Sequence, residues 1–128
     1  MRKPPTVTKL KKKLDGIFSQ YIRLKYSVNG NCICYTCGYV NHWKKLQNGH
    51  LVSRFYLSTR YDERNCRPQC YTCNMFRNGM IPDFSRRLED ELGEGITKEL
   101  YKLANNITKD FPYEAKIKEY QEKVKKLL

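Results

Sequence analysis

Six cysteines, two histidines and a scattering of asparagines are the residues of this 128-residue chain whose types and spacing bear on chemistry. Two cysteine pairs share one spacing, Cys34-x-x-Cys37 and Cys70-x-x-Cys73, with 32 residues between them. Each short loop turns two thiolates toward one tetrahedral ion and the long insert closes the site, so the four cysteines form a structural zinc arrangement. A redox CxxC needs only one such pair. Cys32 and Cys66 read as small buried apolar residues, with Cys32 a competitor of Cys34 for the metal. Directly behind the second pair stands Asn74, and between the pairs stands His50. An imidazole to deprotonate water and a carboxamide to hold a hard cation are two of the parts that phosphodiester hydrolysis requires. Taken singly, each has a plainer role, His50 as a hydrogen-bonded strand residue and Asn74 as a helix cap. His42 reads as a loop residue.

The third requirement is cations that hold a phosphate backbone in line. Arg54, Arg60, Arg64, Arg67 and Arg77, with Lys44 and Lys45, are the candidates, guanidinium forks being suited to two-point phosphate contact. Asp62 and Glu63 are the only acids between residues 16 and 82. They either help to hold a divalent ion or pair with Arg60 or Arg64.

The elements that must position these groups follow from hydrophobic spacing. Leu10, Leu14, Ile17, Phe18, Tyr21 and Ile22 recur at the 3-and-4 interval of a helix from about Thr8 to Tyr26, ended by the turn residues 28–31. Cys34 to Cys37 form a knuckle relieved by Gly38. Asn48-Gly49 signals a two-residue hairpin turn, with His50 opening the second strand. The stretch 55–68 reads as a loop, and a short helix starts near Gln69 or Cys70, carries Cys73 and Asn74, and stops at Asn78-Gly79. After Pro82 the pattern predicts helices at 83–92, 97–105 and 112–127. The last has a seam of Tyr113, Ile117, Tyr120, Val124 and Leu127, to pack on the N-terminal helix or on a second copy. The expected fold is α+β: a small treble-clef zinc core with a β-hairpin, flanked by an N-terminal helix and about three C-terminal helices. It is read as a single domain, with a basic N-terminal helix (1–30), a zinc-stapled core (31–82) and a helical segment (83–128).

Net charge is +12 and mean hydropathy −0.76. Residues 1–82 hold fifteen Lys or Arg against three acids, whereas residues 83–128 hold ten of each. Four thiolates on one Zn²⁺ would lower the first part's surplus only to about +10. Such segregation is the electrostatic footprint of a nucleic-acid partner. No run approaches the roughly 20 apolar residues of a membrane span, and the basic start lacks the apolar stretch of a secretory signal, so the expected location is the cytoplasm.

The run from Asn48 to Gly79, "NGHLVSRFYLSTRYDERNCRPQCYTCNMFRNG", resembles the core of the NinG (Rap) recombination endonucleases of phages, within the HNH or ββα-metal superfamily. The likeness covers about residues 32–93. It implies a metal-dependent DNA endonuclease that cuts branched intermediates such as Holliday junctions and D-loops in the host cytoplasm. By position, the resemblance makes His50 the general base, Asn74 a ligand of a catalytic Mg²⁺ or Mn²⁺, and Cys34, Cys37, Cys70 and Cys73 the zinc ligands. Asn65 matches the middle Asn of the superfamily, which orients the base. Related junction-resolving enzymes carry an Asp just before the base, where this chain has Gly49, leaving Glu63 or Asp62 as the substitute metal ligand. Two cuts across a near-symmetric junction imply a twofold dimer. The rival expectation is a non-catalytic zinc module that binds DNA as a recombination accessory or regulator.

Overall fold

A computed structural model describes residues 3–128. Helix α1 (Val7–Lys25) is capped by the Thr6 hydroxyl, which accepts from the Lys9 amide, and it buries Leu14, Phe18 and Ile22. Strands β1 (Ser27–Val28), β2 (Asn31–Ile33) and β3 (Val40–His42) form an antiparallel sheet in that order. The knuckle Cys34–Cys37 joins β2 to β3, and Gly38 takes φ +83° behind it. Strand β4 (Gln47–His50) then pairs antiparallel with β5 (Cys66–Gln69), His50 opposite Cys66 and Gln47 opposite Gln69. Between them lie the one-turn helix α2 (Leu57–Arg60) and a 3₁₀ turn, Glu63–Asn65. A π-helical turn, Thr72–Phe76, follows β5 and carries Cys73 and Asn74. Helices α3 (Ile81–Leu92), α4 (Ile96–Ala104) and α5 (Tyr113–Leu127) complete the chain.

The helices lie close to their predicted spans, but the hairpins do not. Asn48 and Gly49 are not a turn. They lie inside β4, opposite Pro68 and Arg67, so His50 ends the first strand of a hairpin whose second strand is β5. The two-residue turn belongs to the other Asn-Gly, Asn29-Gly30, at φ +52° and +81° between the paired Val28 and Asn31. Gly49 answers a different need: a Cβ there would collide with the Gln69 side chain. Gln69 is fully buried and donates to the Gly79 carbonyl (2.8 Å) and the Thr36 hydroxyl (3.1 Å), bridging the hairpin to both cysteine turns. The segment read as a loop, 55–68, likewise holds α2, the 3₁₀ turn and most of β5, because its irregular backbone is pinned by buried side chains.

Three apolar clusters hold these parts. In one, Leu14, Phe18 and Ile22 of α1 meet Tyr113, Ile117 and Tyr120 of α5, with Phe18 edge-on to Tyr120 at 5.0 Å. The α5 seam is therefore used within the chain, and Leu127 stays exposed. A second joins Leu51 and Val52 to α3 and α4, and the third gathers Cys32, Cys34, Leu46, Cys70 and Cys73. Among the described residues no helix is long and apolar enough to cross a membrane.

Candidate active site

The Sγ atoms of Cys34, Cys37, Cys70 and Cys73 lie within 4.8 Å of one another, and those of Cys37 and Cys70 are 3.6 Å apart. Sulfurs at about 2.3 Å from a tetrahedral Zn²⁺ sit about 3.8 Å from each other, so this donor set fits a closed zinc site with no position left for water. Burial would raise the Cys34 thiol, but hydrogen bonds, foremost from the Cys70 backbone, outweigh it and bring the thiol down to about 6. Burial pushes Cys73 up to about 12. Cys32 and Cys66 stand apart as buried thiols facing the Tyr26 and Arg60 carbonyls, and burial pushes Cys32 up to about 11.

His50 ends β4 with its Nε2 2.9 Å from the carbonyl oxygen of Arg60. A carbonyl only accepts, so Nε2 carries the proton and the free lone pair is on Nδ1. Burial, aided by the charges of Arg54 and Arg60, holds the imidazole below the ordinary histidine value despite the Arg60 carbonyl. It is neutral at neutral pH.

That carbonyl is held in turn. Asn65 is fully buried, accepts from the Val52 amide (2.8 Å) and donates to the carbonyls of Val52 (3.0 Å) and Thr59 (3.1 Å). It thereby fixes both ends of the 52–59 segment, next to Arg60. The Arg60 guanidinium is paired with Asp15 of α1 through Nε (2.9 Å) and Nη2, and donates to the Arg54 carbonyl (2.6 Å). Tyr61 also donates to Asp15 (2.7 Å). Burial opposes ionisation of Asp15, but these bonds outweigh it and hold the carboxyl below the usual range.

Asn74 donates from Nδ2 to Gln47 Oε1 at 2.7 Å, which leaves its Oδ1 as the acceptor of the carboxamide. Imidazole and carboxamide line one open cleft of about 500 Å³, with Arg23, Lys44, Lys45 and Arg54 around it. A second hollow, about 660 Å³, adjoins it and shares His50, Asn74 and Arg54. The two make a trough with those three side chains at its middle. Asp15, bound to Arg60, is the one carboxylate on its walls among the described residues.

Several expected phosphate contacts lie elsewhere. Arg67 is 2 % exposed, donates to the Glu63 and Cys66 carbonyls and to Glu91, and lies over the Tyr26 and Tyr35 rings at 4.9 and 5.5 Å. It is a core residue, because its guanidinium makes four hydrogen bonds inside this junction. Arg60 lines the trough, but its guanidinium is occupied by Asp15. Arg64 pairs with Asp62 and Glu99 away from the trough. Arg77 lines a different groove beside the cysteines, which it shares with Lys45.

Nor do the two spare acids reach the trough. Asp62 caps the 3₁₀ turn through the Arg64 amide. Glu63 accepts from Tyr21 (3.2 Å), Tyr120 (2.9 Å), Lys25 and Lys123 at the seam of α1 and α5. Neither stands in for the ligand absent at Gly49. Conversely, Asp15, Arg23 and Gln47 line the trough without having been singled out by sequence, as does Asn48, which sequence marked only as a turn residue.

The family profile of NinG, described as Bacteriophage Lambda NinG protein, matches residues 3–128. The chain belongs to the NinG family. Membership ties it to phage recombination, and the NinG match takes in α1, α3, α4 and α5 as well as the central segment around the trough. The flanking helices are thus part of what defines a NinG chain. No curated protein and no solved structure matches it.

Proposed function

We propose that this NinG-family chain is a zinc-stapled, divalent-metal-dependent DNA endonuclease of the HNH type, acting on branched recombination intermediates in the host cytoplasm. The observation that carries the reading is the shared trough: a neutral imidazole with Nδ1 free and a carboxamide with its oxygen free, amid Arg54, Lys44 and Lys45, which have no carboxylate partner among the described residues. Strand, return strand and helical turn follow the ββα order, and the two cysteine turns brace it as a treble-clef would.

In this reading His50 Nδ1 takes a proton from the attacking water, and the Arg60 carbonyl stabilises the imidazolium that results by holding Nε2–H. Arg54, Lys44, Lys45 and Arg23 hold the phosphates on either side. Asn74 Oδ1 would be the protein oxygen for Mg²⁺ or Mn²⁺, which would supply stabilisation of charge on the phosphate and the leaving oxygen. Mg²⁺ keeps several waters and binds substrate phosphate, so the carboxamide would share it with water and DNA. Product ends are 5′ phosphate and 3′ hydroxyl.

The test is cleavage of a labelled four-way junction and a D-loop by purified protein with Mg²⁺ or Mn²⁺, beside His50→Ala and Asn74→Ala. Cutting by wild type alone supports the reading. DNA binding without cutting by any of the three returns the protein to a zinc-stabilised accessory module.

A further inference from the structure

Beside the zinc cysteines runs a second groove, of about 590 Å³, that the hydrolytic reading leaves without a role. Its walls carry Tyr39 and Tyr71, each about half exposed, and its lining includes Asn41, Lys45 and Arg77. The backbone beneath is held by the cysteine cluster, since Cys37, Cys70 and Cys73 also line it. Asn41 donates from Nδ2 to the Tyr39 hydroxyl at 2.8 Å and accepts at Oδ1 from the His42 amide at 2.7 Å, which fixes both side chains and leaves the amide one N–H and one lone pair to spend. Phe76, 74 % exposed, stands edge-on to Tyr71 at 5.4 Å and 83°, bracing that ring from one side. No carboxylate lines this groove among the described residues.

Two exposed aromatic rings, an amide and two cations on a rigid floor are the parts of a nucleobase slot: the rings stack, the amide meets a base edge, and the cations hold the flanking phosphates. The alternative of an apolar protein partner is disfavoured by Lys45 and Arg77 at an otherwise aromatic surface, which complement phosphate. Lys45 lines both this groove and the trough, and Asn74 follows directly on Cys73, so the two sites are continuous. We infer that the Tyr39–Tyr71 groove binds an unstacked nucleobase of DNA next to the phosphate held at His50 and Asn74. The inference rests on the DNA reading of the trough, and it supplies a reason for preferring branched over continuous duplex: only an interrupted stack frees a base to enter.

The experiment is fluorescence anisotropy with the zinc-loaded full chain and no added Mg²⁺ or Mn²⁺. It compares a duplex bearing one unpaired 2-aminopurine with the same duplex fully paired. Wild type should prefer the unpaired form. Tyr39→Ala and Tyr71→Ala should each weaken binding to that form about tenfold, and to the paired duplex by less than about twofold. Tyr39→Phe and Tyr71→Phe, which keep the rings, should bind as wild type. Equal affinity of wild type for the two DNAs, or equal loss on both in the Ala variants, overturns the inference alone. No binding to either DNA removes the proposed function with it. Conversion of a dimer to a monomer by either Ala change, seen by sedimentation, makes the groove a self-association surface and also overturns it. Should Tyr71→Ala lose its zinc, Tyr39→Ala decides.

Discussion

His50 Nε2 and the carbonyl oxygen of Arg60 lie 2.9 Å apart, and this one contact gives a half-buried strand histidine a defined tautomer with its lone pair on Nδ1. The ring is ten residues from its partner in sequence, so the contact exists only because the intervening segment is folded back by Asn65.

Replacing His50 by Ala is expected to lower the junction-cleavage rate by about 10²- to 10⁴-fold, the usual range for a lost general base. The pH dependence has a definite sign. The imidazole is held below the ordinary value of 6.5, and it acts when neutral. Single-turnover rates of wild type should rise with pH on the acid side of 6.5 and be level there by neutral pH. A rate still climbing steeply between pH 7 and 8 would assign the limb to another group.

Asn65→Ala strips two backbone carbonyls and one amide of their buried partner. At about 1–3 kcal/mol for each group left unmet, a loss of at least about 3 kcal/mol is expected in urea denaturation. Cleavage should fall as well, with zinc content unchanged, since the cysteines lie on other turns.

Arg54 and Arg67 should separate cleanly. Arg54→Ala, on the trough rim, should leave the melting temperature unchanged and reduce the salt slope of DNA binding by about 1. Arg67→Ala leaves Glu91 and two carbonyls without their cation and should cost about 3–5 kcal/mol in stability. Should Arg67→Ala fold normally and lose only DNA affinity, its assignment to the core is wrong.

Elemental analysis should return one zinc per chain, lost on Cys73→Ser together with cooperative unfolding, because a closed four-thiolate site contributes folding energy directly. Cys32→Ala and Cys66→Ala should keep the metal. Their buried thiols lie outside the cluster.

The helices and the cysteine cluster were legible because each depends on spacing along the chain: 3-and-4 for α1 and α5, x-x for the two turns. His50 and Asn74 were legible as candidates through the same local grammar and their resemblance to a known core. The register of β4 was not, because Asn-Gly carries two meanings, positive φ at Asn29-Gly30 and close approach at Gly49. Charge was misleading at Arg60 and Arg67, where a guanidinium meant for phosphate looks in sequence like one that cross-links carbonyls and carboxylates, whereas the pairing of Arg64 with Asp62 was one of the readings their proximity offered. Asp15 and Arg23 escaped notice since nothing in α1 announces that it crosses β4. Glu63 was noticed, but its partners lie 38 to 60 residues away and nothing local announces them.

The bare backbone at Gly49 bears on how such a chain can change. Position 49 is not among the residues that line the trough, and the Gln69 side chain fills the volume where any side chain there would grow. An aspartate grafted there to mimic related junction-cutting enzymes would meet glutamine before it met a cation. On the proposed reading a metal in the trough would then be held by carboxamide and water, and an acidic side chain at position 49 would first require Gln69 to give way.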